Sequence, residues 1–361
     1  MPKKGFLEQF AKRQFEQISI DGIPVDEAFI LNEAEVKVIK KVRFRAIFLA
    51  ALLGTLGVLF LYIPQYIFPK LFPETSINVF GLTLNLPLVG WLWAIILVVV
   101  EINLLNIVNI QAVARMAAAC HWPKKDSENY TNNFNALLGA ALEKPATDIN
   151  NYGINPFFGL PKFSYAAYFI FNKAKATLSN ALVKILVSRL LGRVAIRQVT
   201  DMAGIPIFAF WNAWATHLVL KEAVLRIMAP DTITNLTNEL YGQYKDDLQF
   251  KTLLKDALQY IAILKRNYNY AHFLLAKSLF TTFKIEDENY THYFLQNYTM
   301  ANANTQAGLL KVIIAGVCID GKISIREEHQ LLQIINENTP YTLAQIKKIA
   351  ADFKNGKGLK I

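Results

Sequence analysis

VKVIKKVRFRAIFLAALLGTLGVLFLYIPQYIFPKLFPETSINVFGLTLNLPLVGWLWAIILVVVEINLLNIVNIQAVAR, residues 36–115, decides the architecture of this chain. No charge falls between Arg45 and Lys70, and none between Glu74 and Glu101. A hydrocarbon layer about 30 Å thick takes ~20 predominantly apolar residues of helix to cross, and each uncharged run is long enough. A short, proline-punctuated loop joins them. The stretch reads as a transmembrane helical hairpin with spans at about 46–66 and 87–109.

The flanks give an orientation. Lys37, Lys40, Lys41, Arg43 and Arg45 precede the first run, and Arg115, Lys124 and Lys125 follow the second, whereas the loop holds only Lys70, balanced by Glu74. Cationic flanks stay cytoplasmic. Both termini are therefore expected in the cytoplasm of a cell whose inner membrane carries the protein as a multi-pass anchor. Tyr62, Tyr66, Phe68, Trp91 and Trp93 cluster at the loop end, where amphipathic rings favour the headgroup level. The first run starts too far from the N-terminus for a secretory signal and lacks a small-residue cleavage site.

The formal net charge is +10. No aromatic-basic nucleic-acid motif accompanies it, so it reads as complementarity to an anionic leaflet, with membrane lipids as partners and nucleic acid excluded. Cys120 and Cys318 are far apart and imply neither a disulfide framework nor a zinc site. No nucleophile triad, phosphate loop or metal-histidine motif is visible. The expected fold is all-α, non-enzymatic and without a cofactor.

Outside the hairpin, apolar residues recur at helical spacing. Four segments are expected: an N-terminal helical segment (1–44), the hairpin (45–110), a membrane-proximal helical domain (111–240) and a helical bundle (241–361). Phe6, Leu7, Phe10 and Phe15 make a short amphipathic helix for docking on the protein or the membrane surface. A helix over 174–201 is expected to end before Ala203-Gly204-Ile205-Pro206, and another to run from Pro206 to a stop at Pro230. Bundle helices are expected at about 243–266, 270–283, 288–298, 306–319, 324–338 and 343–353. Ser324 with Glu327 and Thr342 with Gln345 fit capping boxes at the last two starts. Residues 202–220 are uncharged, but cations on both sides favour a buried or half-inserted helix over a third span.

Candidate functional residues fall in three places. Arg189, Arg193 and Arg197 form a cationic stripe, followed by Trp211, Asn212, His217, Glu222 and Arg226. These residues suit either an anionic-ligand site beneath the membrane or an internal ion-pair network in which Glu222 meets Arg226 or a stripe arginine. Glu101 lies ~21 Å into the second span at ~1.5 Å per residue. An intramembrane carboxylate is a functional candidate; here the alternatives are conduction in a homo-oligomer, pairing with the first helix or a sister subunit, or approach to the cytoplasmic interface. Finally, residues 319–327 match the second half of an EF-hand loop, with Asp320, turn Gly321, Ser324 and Glu327, but Gly316 and Cys318 stand at its first and third ligand positions. That leaves Asp320 and Glu327 as weak metal candidates, with Glu328 beside them and Glu286, Asp287 and Glu288 as the plausible contribution from the earlier helix turn.

LLKVIIAGVCIDGKISIREEHQLLQII, ending at Ile335, resembles the hallmark of TerB-like domains, the all-helical fold of tellurite-resistance proteins. Asp320, Gly321, Ser324, Glu327 and Glu328 carry the match, and Ile319 replaces the usual alanine. The stretch from Ala271 to Tyr298 resembles a degenerate second copy. More weakly, the block from Gly204 to Ala213 resembles EcsC-like membrane-associated bacterial proteins. Together these resemblances imply a bacterial membrane protein of envelope stress or maintenance. It would be a scaffold or sensor presenting a helical module to an unidentified protein partner. The alternative function is ion or anionic-ligand handling by oligomers through Glu101 and the arginine stripe.

Overall fold

The computed structural model describes residues 5–18, 30–79, 82–124, 129–142, 154–156, 158, 197–266, 268–285, 293–335 and 339–361. The described chain is all-α apart from one hairpin. Helix α1 (Phe6–Gln17) is followed by α2 (Glu33–Ile67), strands β1 (Thr75–Val79) and β2 (Leu82–Leu86), α3 (Leu88–Ala119) and α4 (Tyr130–Ala141). Then come α5 (Arg197–Tyr244), α6 (Leu248–Lys265), α7 (Tyr270–Phe283), α8 (Phe294–Met300), α9 (Ala303–Cys318), α10 (Ile325–Leu331) and α11 (Leu343–Lys354).

Helices α2 and α3 are long and apolar enough to cross a membrane by length and composition. Asn32 and Glu35 start α2 with a reciprocal capping box, at 2.9 and 2.8 Å. Across the hairpin, Trp93 Nε1 donates to the Phe60 carbonyl at 3.0 Å. The loop between the helices carries a pair of strands. Strands β1 and β2 pair antiparallel, Thr75 opposite Leu86 and Val79 opposite Leu82.

The expected break at Gly204-Ile205-Pro206 does not occur. Helix α5 runs for 48 residues through both Pro206 and Pro230. Proline removes one ladder bond and crowds the preceding turn, costing ~3 kcal/mol in an isolated helix. Tertiary packing outweighs that here, because α5 lies along α2 more extensively than any other pair of elements meets. Near Pro230, the Thr232 and Thr234 hydroxyls donate back to the Met228 and Pro230 carbonyls at 2.8 and 2.9 Å.

Small residues make the α2–α5 contact close. Ala46, Ala50, Gly54 and Val58 recur every four residues on the buried face of α2. A Cβ on Gly54 would fall 2.5 Å from the Phe208 carbonyl oxygen. Close backbone approach through small side chains is the usual way apolar helices associate in lipid.

The second half of α5 enters a core shared with α4, α6, α7, α9 and α11, so apolar packing is contiguous across position 240. Helix α1 docks on this core through Leu7, Phe10 and Phe15, with Phe15 edge-on to Phe134 at 5.2 Å. In the bundle, the 270–283 helix matches its expected bounds, and both expected capping boxes form. Helix α10 is shorter than expected, giving way to turns after Leu331. The expected helix over 174–201 lies outside the described residues up to Arg197.

Candidate functional site between the apolar helices and the bundle

Two separately notable residues meet. Asn212 Nδ2 donates to Glu101 Oε1 at 2.6 Å, and both residues are buried. The space for the carboxylate comes from Gly57, whose Cβ would sit 2.9 Å from Glu101 Oε2. Among the described residues, Asn212 Oδ1 and, one turn on, Thr216 Oγ1 have no hydrogen-bond partner. The pair ties α3 to α5 beside α2 and shields the carboxylate from the apolar surround. Asn103 takes no part: its amide donates to its own helix at the Val99 carbonyl, 2.8 Å away.

Around this polar contact, the outward faces are apolar. Phe44, Phe48 and Phe60 on α2, Ile95 and Val99 on α3, and Ile207, Phe210, Trp214 and Leu218 on α5 are all exposed. On α5 these positions fall three or four apart, which makes one stripe. Residues 202–220 thus lie against both apolar helices with a bare apolar outer face. Trp211 belongs to that face. His217 stacks on Trp214 at 5.9 Å with 22° between the rings.

Glu222 pairs with Arg226 at 2.9 Å within α5. Arg226 Nη1 also donates to the Ala136 carbonyl at 2.7 Å, and the guanidinium lies 5.1 Å from the Tyr270 ring centre. This buried network joins α5 to α4 and α7. Arg189 and Arg193 lie outside the described residues. Arg197 opens α5, and its side chain is not among those described.

A third cluster depends on a residue that sequence spacing does not single out. Lys265, at the end of α6, has a side chain only 1 % exposed. Its Nζ reaches Asp320 Oδ1 at 3.0 Å, the Lys322 carbonyl at 2.7 Å and Glu327 Oε2 at 3.1 Å. An ammonium has three donors, and all three find oxygen. Counted as an EF-hand loop, these oxygens come from positions 5, 7 and 12, the seventh through its backbone carbonyl. A tethered ammonium therefore stands where such a loop would place its ion. The carboxylates are held further by Lys322 N–H on Asp320 at 3.0 Å and Ser324 N–H on Glu327 at 2.9 Å. Gly321, at φ 67°, adopts the left-handed conformation that the turn requires. Among the described residues no three His, Cys, Asp or Glu side chains converge as a metal set; Glu286, Asp287 and Glu288 lie outside them.

Nearby groups are buried. Burial pushes the Cys318 thiol up to about 12. His272, whose Nε2 lies 2.9 Å from the Gly316 carbonyl, is pushed down to about 4, by burial first and by Lys265 as well. Neither is set up as a nucleophile or a base at neutral pH.

Compared with known proteins, this chain matches no family model, no curated protein and no solved structure.

Proposed function

We propose that this protein is a membrane-anchored, non-enzymatic scaffold or sensor. In this reading, helices α2 and α3 anchor it in a bacterial inner membrane with both termini cytoplasmic. The C-terminal TerB-like bundle is the module offered to a protein partner, in envelope stress or maintenance. The observation that carries the proposal is α5. One uninterrupted helix lies against both apolar helices at its start and forms part of the bundle core at its end. A module built this way is held at a set position below the anchor.

The cationic flank from Lys37 to Arg45 favours the orientation. The Asp320-Gly321 turn followed by Ser324 and Glu327 favours the TerB-like assignment. The Glu101–Asn212 contact favours a structural role for the carboxylate over conduction.

Cysteine accessibility in intact cells tests the topology, with Cys120 and Cys318 buried and giving a low background. A cysteine at Ser76 should label with a membrane-impermeant reagent, and one at Asn355 should not. Labelling at Asn355 without permeabilisation would overturn the reading.

A further inference from the structure

At the basic end of the apolar belt, cations from four parts of the chain converge. Arg43 lies directly before exposed Phe44 on α2, and Lys221 follows exposed Leu218 on α5. The turn after α9 brings Lys322, and the last turn of α11 brings Lys354. That turn sits on Lys354: a Cβ on Gly321 would fall 2.7 Å from Lys354 Cβ. Lys322 and Lys354 lie within electrostatic reach of Lys221, and Arg43, Lys221, Lys322 and Lys354 all lie within electrostatic reach of His217.

Among the described residues, no carboxylate forms a salt bridge with any of these side chains. Asp320 acts electrostatically on Lys221, but its Oδ1 is already held by Lys265 and the Lys322 amide. Like charges gathered without a counter-ion attract an anion. Their place at the rim of the belt is where phosphate headgroups lie when the apolar faces are in lipid.

We propose that Arg43, Lys221, Lys322 and Lys354, with His217, bind the phosphate of an anionic phospholipid headgroup, which bridges the membrane helices to the C-terminal bundle. This rests on the membrane-anchored reading above. The anionic lipid content of the bilayer then governs how firmly the bundle is held. Burial, followed by Lys322 and Lys354, lowers Lys221 to about 8, as expected for an ammonium crowded by like charge.

The test uses the full chain in phosphatidylcholine nanodiscs with and without phosphatidylglycerol. Bound lipid is read by native mass spectrometry and stability by thermal melting. The wild type should retain phosphatidylglycerol about tenfold over phosphatidylcholine, and Lys221→Gln/Lys322→Gln/Lys354→Gln should lose most of that preference. A charge-matched control, Lys245→Gln/Lys277→Gln/Lys348→Gln, should keep it. The single Lys221→Gln variant should show a partial loss with an unchanged melting curve in phosphatidylcholine alone.

Raising pH from 7 to 9 should weaken the wild-type preference as Lys221 loses its charge, with His217, Lys322, Lys354 and Asp320 facing it, and should change Lys221→Gln less. Equal loss in the cluster triple and the control would overturn the proposal. So would protection by millimolar inorganic phosphate with nothing added by phosphatidylglycerol, since the site would then take soluble phosphate. Carbonate-resistant insertion into pure phosphatidylcholine vesicles reports the anchor separately: its failure defeats the anchored reading, whereas insertion without lipid preference defeats only the headgroup site.

Discussion

The apolar helices and the C-terminal bundle each bury carboxylates, and they partner them differently. Between α3 and α5, Glu101 meets the amide of Asn212, whose own oxygen goes without a hydrogen bond among the described residues. In the bundle, Lys265 brings a full opposite charge to Asp320 and Glu327, and its third donor is taken by a carbonyl. A side-chain hydrogen bond between apolar helices adds little energy and much register. A buried ammonium among matched oxygens adds little net stability over an apolar core, but it is costly to break from one side. The first region is therefore built to adjust and the second to lock.

Removing the locked cation should have the largest effect. Lys265→Met leaves the buried Glu327 and the partly buried Asp320 without their counter-charge and should cost ~3–5 kcal/mol in denaturant unfolding of the full chain. A loss below ~1 kcal/mol would erase the contrast between the regions. In the wild type, calcium at millimolar concentration should leave the melting curve in place, because the ammonium already fills the oxygens an ion would need.

Widening the apolar contact should come next. Gly54→Leu would place a side chain where the Phe208 carbonyl now lies, and should cost about 1–3 kcal/mol by forcing α2 and α5 apart. Faster proteolysis within α5 should accompany it. Unchanged melting and proteolysis would mean that α5 is not held by this face.

Smallest of the three is Asn212→Leu, expected near ~0.6 kcal/mol, the average for a side-chain hydrogen bond between membrane helices. A cost matching that of Lys265→Met would place the Glu101 contact among the locking interactions and undo the distinction.

The parts of this molecule that sequence makes legible depend on neighbours along the chain. Uncharged runs mark α2 and α3, and the reciprocal pairs Ser324–Glu327 and Thr342–Gln345 mark two helix starts. The Ala46, Ala50, Gly54, Val58 series was equally open to reading as a small-residue face, since its four-residue spacing needs no partner to be seen. Lys265 was hidden because its partners lie 55 to 62 positions away. The continuity of α5 was hidden for a related reason: the proline rule is local, whereas the contacts with α2 that overrule it come from more than a hundred residues earlier. Glu101 and Asn212 were each conspicuous as polar groups in apolar surroundings, but only the fold pairs them.

The length of α5 has a mechanical consequence. At ~1.5 Å per residue its 48 residues span roughly 72 Å. A shaft of that length, gripped at one end by α2 and α3, acts as a lever. A 10° change of tilt at the gripped end carries the far end sideways by ~12 Å, from the same rise per residue. A small change in the packing of α2 and α3 against α5 would be delivered to the bundle as a displacement the width of a helix.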